Sequence, residues 1–308
     1  MLKIDAFAHI TTEKYLARFR QLAPDIGSKT EQRRLAMVDY GIREKLMRRN
    51  PDVMQIVTMS NLPLERYVSA KEAVELAEIG NEELCELVKQ NPELFYGAVG
   101  VIPTDDIEAS VRIADYCMRD LHLLGVQLYS TIERTSYADP KYRPIFAKVA
   151  EYGRAVWVHP AGTNKDLGMF SWPYESSYFM FEMVKSGIFY EFPELKIIIH
   201  HAGGMAPFFR ERAATLLPHM GFLHGDEHFR KFYADTALYG NTAGLMCAYD
   251  YFGAEHMLFG TDAPLGAPWG GNGATDNTLS AIEKMSVPEK EKEMILQGNA
   301  VKMFGIHL

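Results

Sequence analysis

Apolar residues fall along this chain in short runs, each followed by a longer stretch with apolar residues at helical spacing. The runs at Met1–Ile10, Val53–Met59, Phe95–Ile102, Leu124–Tyr129, Ala155–His159, Leu195–Ile199, Phe232–Leu238 and His256–Thr261 have the length and β-branched content of buried strands. Between them, Ser69–Gln90, Ile107–Arg119, Pro140–Tyr152, a segment ending near Tyr190, Pro207–Leu217, Thr242–Phe252 and Thr275–Met303 read as helices. Eight strands separated by helices predict an α/β chain, a (β/α)8 barrel. A doubly wound open sheet competes less well, because no glycine fingerprint follows the first strand. After that strand comes a long charged insertion, Thr11–Pro51, which reads as helical and of the kind that covers or lines a site. No repeat or linker interrupts the pattern, so one domain spans 1–308.

Against this background the polar residues at strand ends stand out. Leu195–Gly204, LKIIIHHAGG, is a buried strand that delivers two imidazoles into a glycine loop. Strand side chains alternate, so only one of His200 and His201 faces a barrel axis. Asp5, Phe7 and His9 share a face of the first strand by the same rule. His159 ends the fifth strand, Asp235 lies on the seventh and Asp262 ends the eighth. Polar groups on otherwise apolar strands cost free energy unless they are paired or bind something. Imidazoles and carboxylates that converge at the C-terminal mouth of a barrel suit a divalent metal. Each residue also has a plainer reading: a satisfied core histidine for His9, a strand end for His159, backbone bonding for Asp235, a turn for Asp262. His200, out of phase with His201, reads as structural.

Composition narrows the classes. The 308 residues are 47% hydrophobic, enough for a large core, and the formal net charge of -8 excludes a basic nucleic-acid footprint. Cys85, Cys117 and Cys247 match no zinc spacing and fit a reducing compartment. No apolar run reaches membrane-spanning length and the first residues do not resemble a signal peptide, so the expectation is a soluble cytoplasmic protein with no membrane partner.

Four motifs carry a resemblance that runs nearly end to end: D-x-F-x-H at Asp5–His9, VHP at Val158–Pro160, HAGG at His201–Gly204 and GTDAP at Gly260–Pro264. Together they resemble the amidohydrolase superfamily, in the branch of aminocarboxymuconate semialdehyde decarboxylase and the dihydroxybenzoate, resorcylate and carboxyvanillate decarboxylases. The resemblance implies His9, His159 and Asp262 as metal ligands, with His201 and Asp262 as proton-transfer groups. It also implies Arg212 as a clamp for a substrate carboxylate, with Arg210 two residues away as a competitor, and a homodimer. The family usually has D-x-H-x-H on strand one; here Phe7 stands at the first histidine position and cannot ligate. Asp5 is the candidate substitute ligand, and Phe7 becomes a candidate substrate wall. Trp172 is a second candidate for that wall, and Tyr129, Phe170 and Trp269 are other aromatics near the loops.

The leading expectation is a decarboxylase that uses one divalent ion, zinc before manganese or magnesium, on a small aromatic or unsaturated carboxylate. Metal-dependent hydrolysis of a lactone, ester or amide is the alternative. A ligand-binding barrel that has lost its metal is the third reading.

Overall fold

The computed structural model describes residues 1–25, 35–59, 63–130, 136–162, 164–265 and 273–305. Seven parallel strands lie in sequence order: β1 (Lys3–Ile10), β2 (Val53–Met59), β3 (Phe95–Val101), β4 (Gly125–Tyr129), β5 (Ala155–His159), β6 (Lys196–Ile199) and β7 (Tyr233–Ala234). Helices separate successive strands from β2 onward, the arrangement expected of an α/β barrel. Between β1 and β2 lie the helices Glu13–Leu22, Leu35–Val38 and Tyr40–Met47. Residues 26–34 of the expected insertion fall outside the described residues.

The eighth strand is a correction. Residues 257–263 occupy its place but pair irregularly, with a single bridge from Met257 to Ala234. Leu258 donates to Ala234 on one side; on the other, Ala6 donates to Phe259, Asp262 to Phe7 and His9 to Ala263, so the ring is joined between β7 and β1. Side chains replace the missing ladder bonds. Thr236 Oγ1 both accepts from Gly260 N and donates to its carbonyl, at 3.0 and 2.9 Å. The expected strand Phe232–Leu238 shortens to two residues for a related reason: the Asp235 carboxylate accepts from Ala202 N and Ala237 N, at 3.0 and 3.1 Å.

The interior of the barrel is a separate apolar cluster that includes Ile4, Ala6, Phe7, Ile56, Val99, Ala155, Trp157, Ile198 and Leu258. The helix Asn299–Phe304 closes its lower end, with Phe304 stacked on Trp157 at 5.3 Å. The outer faces of the strands, such as Val156, Val158, Ile197 and Ile199, belong to the larger cluster under the helices. Alternation then sets the site. On β5, Ala155 and Trp157 point inward and carry His159 with them. On β6, Ile198 points inward, and His200 follows in the same phase.

On β1 the phase breaks. Asp5 pairs with Gln55, but Ala8 pairs with Val57, so β1 carries one extra residue between them. Ala6 and Phe7 are therefore both inside, His9 faces the axis, and Asp5 falls on the outer face with Gln55. Among the described residues, no helix is long and apolar enough to cross a membrane.

Candidate metal centre

Four side chains meet at the C-terminal ends of the strands. His9, His159, His200 and Asp262 each offer one ligand atom, and these atoms all lie within 4.8 Å of one another. The imidazole centroids are 4.9 Å apart for His9 and His159, 5.1 Å for His159 and His200, and 5.6 Å for His9 and His200. His9 and His200 are fully buried, and Asp262 nearly so. Asp262 reaches inward from a left-handed backbone, φ 62°, immediately after the irregular eighth segment.

Each ring is held through Nδ1. That atom of His9 meets Thr58 Oγ1 at 2.8 Å, that of His159 meets the Pro160 carbonyl at 2.8 Å, and that of His200 meets the Asp235 carboxylate. Nε2 of His9 and of His200 both approach Asp262 Oδ1, at 2.9 and 3.2 Å. The second oxygen, Oδ2, accepts from the Tyr239 hydroxyl and lies 4.0 Å from His201 Nε2.

The electrostatics follow from two buried carboxylates among imidazoles. Burial penalises the Asp262 charge, yet the hydrogen bonds from His200, His201 and His9 hold its carboxyl well below the usual range. Burial opposes the His200 imidazolium, but Asp235 and Asp262 more than offset it and raise the ring to about 10. Burial, followed by the neighbouring rings of His9 and His200, pushes His159 well below its ordinary value. Burial and His200 push His201 down as well. Asp235 and Asp262 together suit a divalent cation, and the nitrogen-rich donor set suits a transition ion. The residues present therefore fit a divalent metal.

The structure sorts the remaining candidates. Asp5 is not in the cluster. Its oxygens take Thr261 N at 3.0 Å, Thr261 Oγ1 at 2.5 Å, Phe7 N at 3.3 Å and Gln55 Nε2 at 3.2 Å, because the extra residue in β1 turns it outward. His201 sits at the rim, with a partly exposed side chain. His200, read from sequence as structural, is inside. Alternation allowed one inward histidine, and Ile198 sets which. His201 still approaches Asp262 because His201, Ala202, Gly203 and Gly204 all have φ between 55 and 78°, a left-handed turn that folds the chain back over the strand end. The two rings are 4.0 Å apart.

Phe7 is fully buried beneath the imidazoles, stacked on His200 at 4.0 Å and 19°. Trp172 is 45% exposed, with its indole against Gly162 in the loop after β5. Arg212 is exposed on the helix Arg210–His219, outside the cluster, while Arg210 pairs with Asp250. Tyr129 is 5.7 Å ring to ring from His159 and lines a cleft with Leu64, Glu65, Ile102 and Tyr137. Phe170 is exposed, and Trp269 lies outside the described residues. Tyr239 and Asp235 are the contributors that sequence reasoning missed or left as strand-end bonding.

The amidohydrolase family pattern matches residues 4–306. The chain belongs to the amidohydrolase family. Among its relatives this amidohydrolase is 31% identical over 249 residues to the 6-methylsalicylic acid decarboxylase of Penicillium expansum, covering 75% of each chain. It is 27% identical over 275 residues to the 2-amino-3-carboxymuconate-6-semialdehyde decarboxylase of Dictyostelium discoideum, covering 83% of this chain and 74% of that one. Its fold matches the dihydroxybenzoic acid decarboxylase of Polaromonas sp. JS666, solved with bound manganese and 2-nitroresorcinol. That match has a TM-score of 0.81 at 22% identity, over 99% of this chain and 97% of that one.

Proposed function

We propose that this amidohydrolase is a metal-dependent decarboxylase of a small aromatic or unsaturated carboxylate. The observation that carries the reading is the convergence of imidazole nitrogens and Asp262 at the strand ends, in a chain whose relatives are decarboxylases of such acids. His9, His159 and Asp262 would hold the ion. When bound, it would supply Lewis-acid polarisation of substrate oxygens and stabilise the charge that develops as CO2 departs. Zinc suits the nitrogen-rich donors; manganese is the ion bound in the Polaromonas enzyme.

The protein's own groups would handle the proton. The electron pair of the breaking carbon–carbon bond stays on the ring carbon, which must gain a proton in place of CO2. His201 would deliver it after taking a proton from solvent at its partly exposed edge, and Asp262, once protonated, is the alternative donor. Burial, followed by the neighbouring His200 ring, lowers the proton affinity of His201, so a proton taken up there would be passed on readily. Tyr129, beside His159, would face the flat body of the substrate, with Phe7 as the floor under the imidazoles and Trp172 at the outer edge. Arg212, free of the cluster, would meet a carboxylate only at the surface or across an interface.

A homodimer in the cytoplasm completes the reading. Phe170, Phe208, Phe209 and Leu223 leave large apolar side chains exposed on neighbouring segments, and all three cysteines carry free thiols.

The test is incubation of metal-loaded protein with a panel of hydroxybenzoates and unsaturated dicarboxylates in 18O-labelled water, together with lactones and esters. Release of CO2 without label in the organic product is expected. Label in a new hydroxyl or carboxyl group would replace decarboxylation with hydrolysis, and binding without turnover would point to a ligand-binding barrel.

A further inference from the structure

We propose that His200, through Nε2, is the fourth protein donor of the metal site, in the place that Phe7 cannot fill, and that Asp235 positions it. The inference rests on the metal-dependent reading above and deepens it.

Phe7 faces the axis from β1 one step below His9 and has no lone pair to give. Its ring lies flat against His200 at 4.0 Å, so the phenyl group supports the imidazole that stands beside it. A donor missing from β1 is matched by a donor on β6 that stacks against the residue in its place.

The ring protons can be placed from the hydrogen bonds. A backbone carbonyl only accepts, so at His159 the proton is on Nδ1, facing Pro160. A carboxylate only accepts, so at His200 the proton is on Nδ1, facing Asp235. Thr58 can direct its own hydrogen to the Ala8 carbonyl at 3.3 Å and accept from His9 Nδ1. All three rings then turn Nε2 toward the cluster. Nε2 of His9 and of His200 both face Asp262 Oδ1, at 2.9 and 3.2 Å, inside a buried space, and by the same rule they donate to it while no ion is bound. A divalent ion would displace those protons and take all four donors, whose atoms already lie within 4.8 Å of one another.

Asp235 is built for its part. It is fully buried, and its other oxygen is pinned by Ala202 N and Ala237 N. A carboxylate behind a ligating histidine fixes the tautomer and the ring plane.

The experiment uses the full chain, stripped with chelator and titrated with zinc and, separately, cobalt(II). Bound metal is measured after gel filtration, and thermal unfolding with and without metal gives a second readout. Wild type is expected to bind one equivalent. His200→Gln, close in volume, is expected to weaken binding by about 100-fold or more, and Asp235→Asn by about 10- to 100-fold. The amide introduced by Asp235→Asn can donate to Nδ1 and move the ring proton onto Nε2. Phe7→His in the His200→Gln background is expected to recover one equivalent by restoring the strand-one donor. Wild-type affinity in a folded His200→Gln overturns this inference and leaves the metal-dependent reading standing. If His200→Gln does not fold, unchanged metal affinity in Asp235→Asn overturns it instead. Wild type that takes up no metal overturns both.

Discussion

Tyr239 has its backbone at φ 48° and its hydroxyl on Asp262 Oδ2. A left-handed conformation costs a non-glycine residue about 1 kcal/mol, so the contact is held by its surroundings. It leaves Asp262 with one oxygen toward the imidazoles and the other fixed. Tyr239→Phe is expected to lower kcat about tenfold with little change in KM, since a hydrogen bond to a charged group is worth about 1.5 kcal/mol or more. Steady-state kinetics on the substrate found in the 18O assay checks this. Asp5 gives a prediction of a different kind. Burial raises its carboxyl to about 6 from an ordinary 3.8, despite the hydrogen bonds from Thr261. The folded protein therefore holds a proton that the unfolded chain has released, and stability falls as pH rises from about 4 through 6. Two pH units correspond to about 3 kcal/mol. Urea unfolding of wild type and Asp5→Asn should show the difference moving in favour of the variant by that amount between pH 4 and pH 7. These residues also mark what the sequence disclosed. His9, His159 and Asp262 were legible because each is polar at the end of an apolar run. His200 was not, because β6 is apolar on both faces and offers no polar–apolar alternation to give its phase. Nothing in the sequence around Tyr239 announces a partner on another strand.

At the scale of elements, local geometry decides what side-chain alternation alone does not. The extra residue in β1 turns Asp5 outward and Phe7 inward, and no composition signal precedes it. The left-handed turn at His201–Gly204 brings two adjacent histidines to one side of a strand end. Its glycines were visible, but its handedness was not. Gly204 has φ 64°, and a Cβ there would lie 2.4 Å from the Pro173 carbonyl and 2.7 Å from Ser177 Oγ, which accepts from Met205 N. Gly204→Ala is expected to destabilise by about 2–4 kcal/mol, read as a lower urea midpoint with unchanged slope. The long strands were legible to within a residue or two: β2 and β5 have the bounds their apolar runs give. β7 and the eighth segment were not, because Asp235 and Thr236 pair with backbone through their side chains and shorten the ladder.

For the whole molecule, an ion that binds only the folded state adds stability by mass action, about 4 kcal/mol at a thousandfold excess over its dissociation constant. Chelation is therefore expected to lower Tm by several degrees, with recovery on adding zinc or manganese, measured by calorimetry. The surface makes a separate prediction. Phe208 and Leu223 are 78 and 77% exposed, so Phe208→Glu combined with Leu223→Glu is expected to convert the proposed homodimer to a monomer, followed by sedimentation equilibrium. The barrel as a whole was legible because its order of strands and helices is periodic, whereas its closure depended on the irregular bonds of residues 257–263.

The stack of Phe304 on Trp157 has a mechanical consequence. Trp157 and His159 share the inward face of one strand, so the last helix and a candidate ligand histidine are linked in series through a single rigid column. Shortening that column at its base would lower its top. A change some 145 residues downstream of His159, in a helix that never touches substrate, would then surface as altered grip on the ion as well as reduced heat resistance.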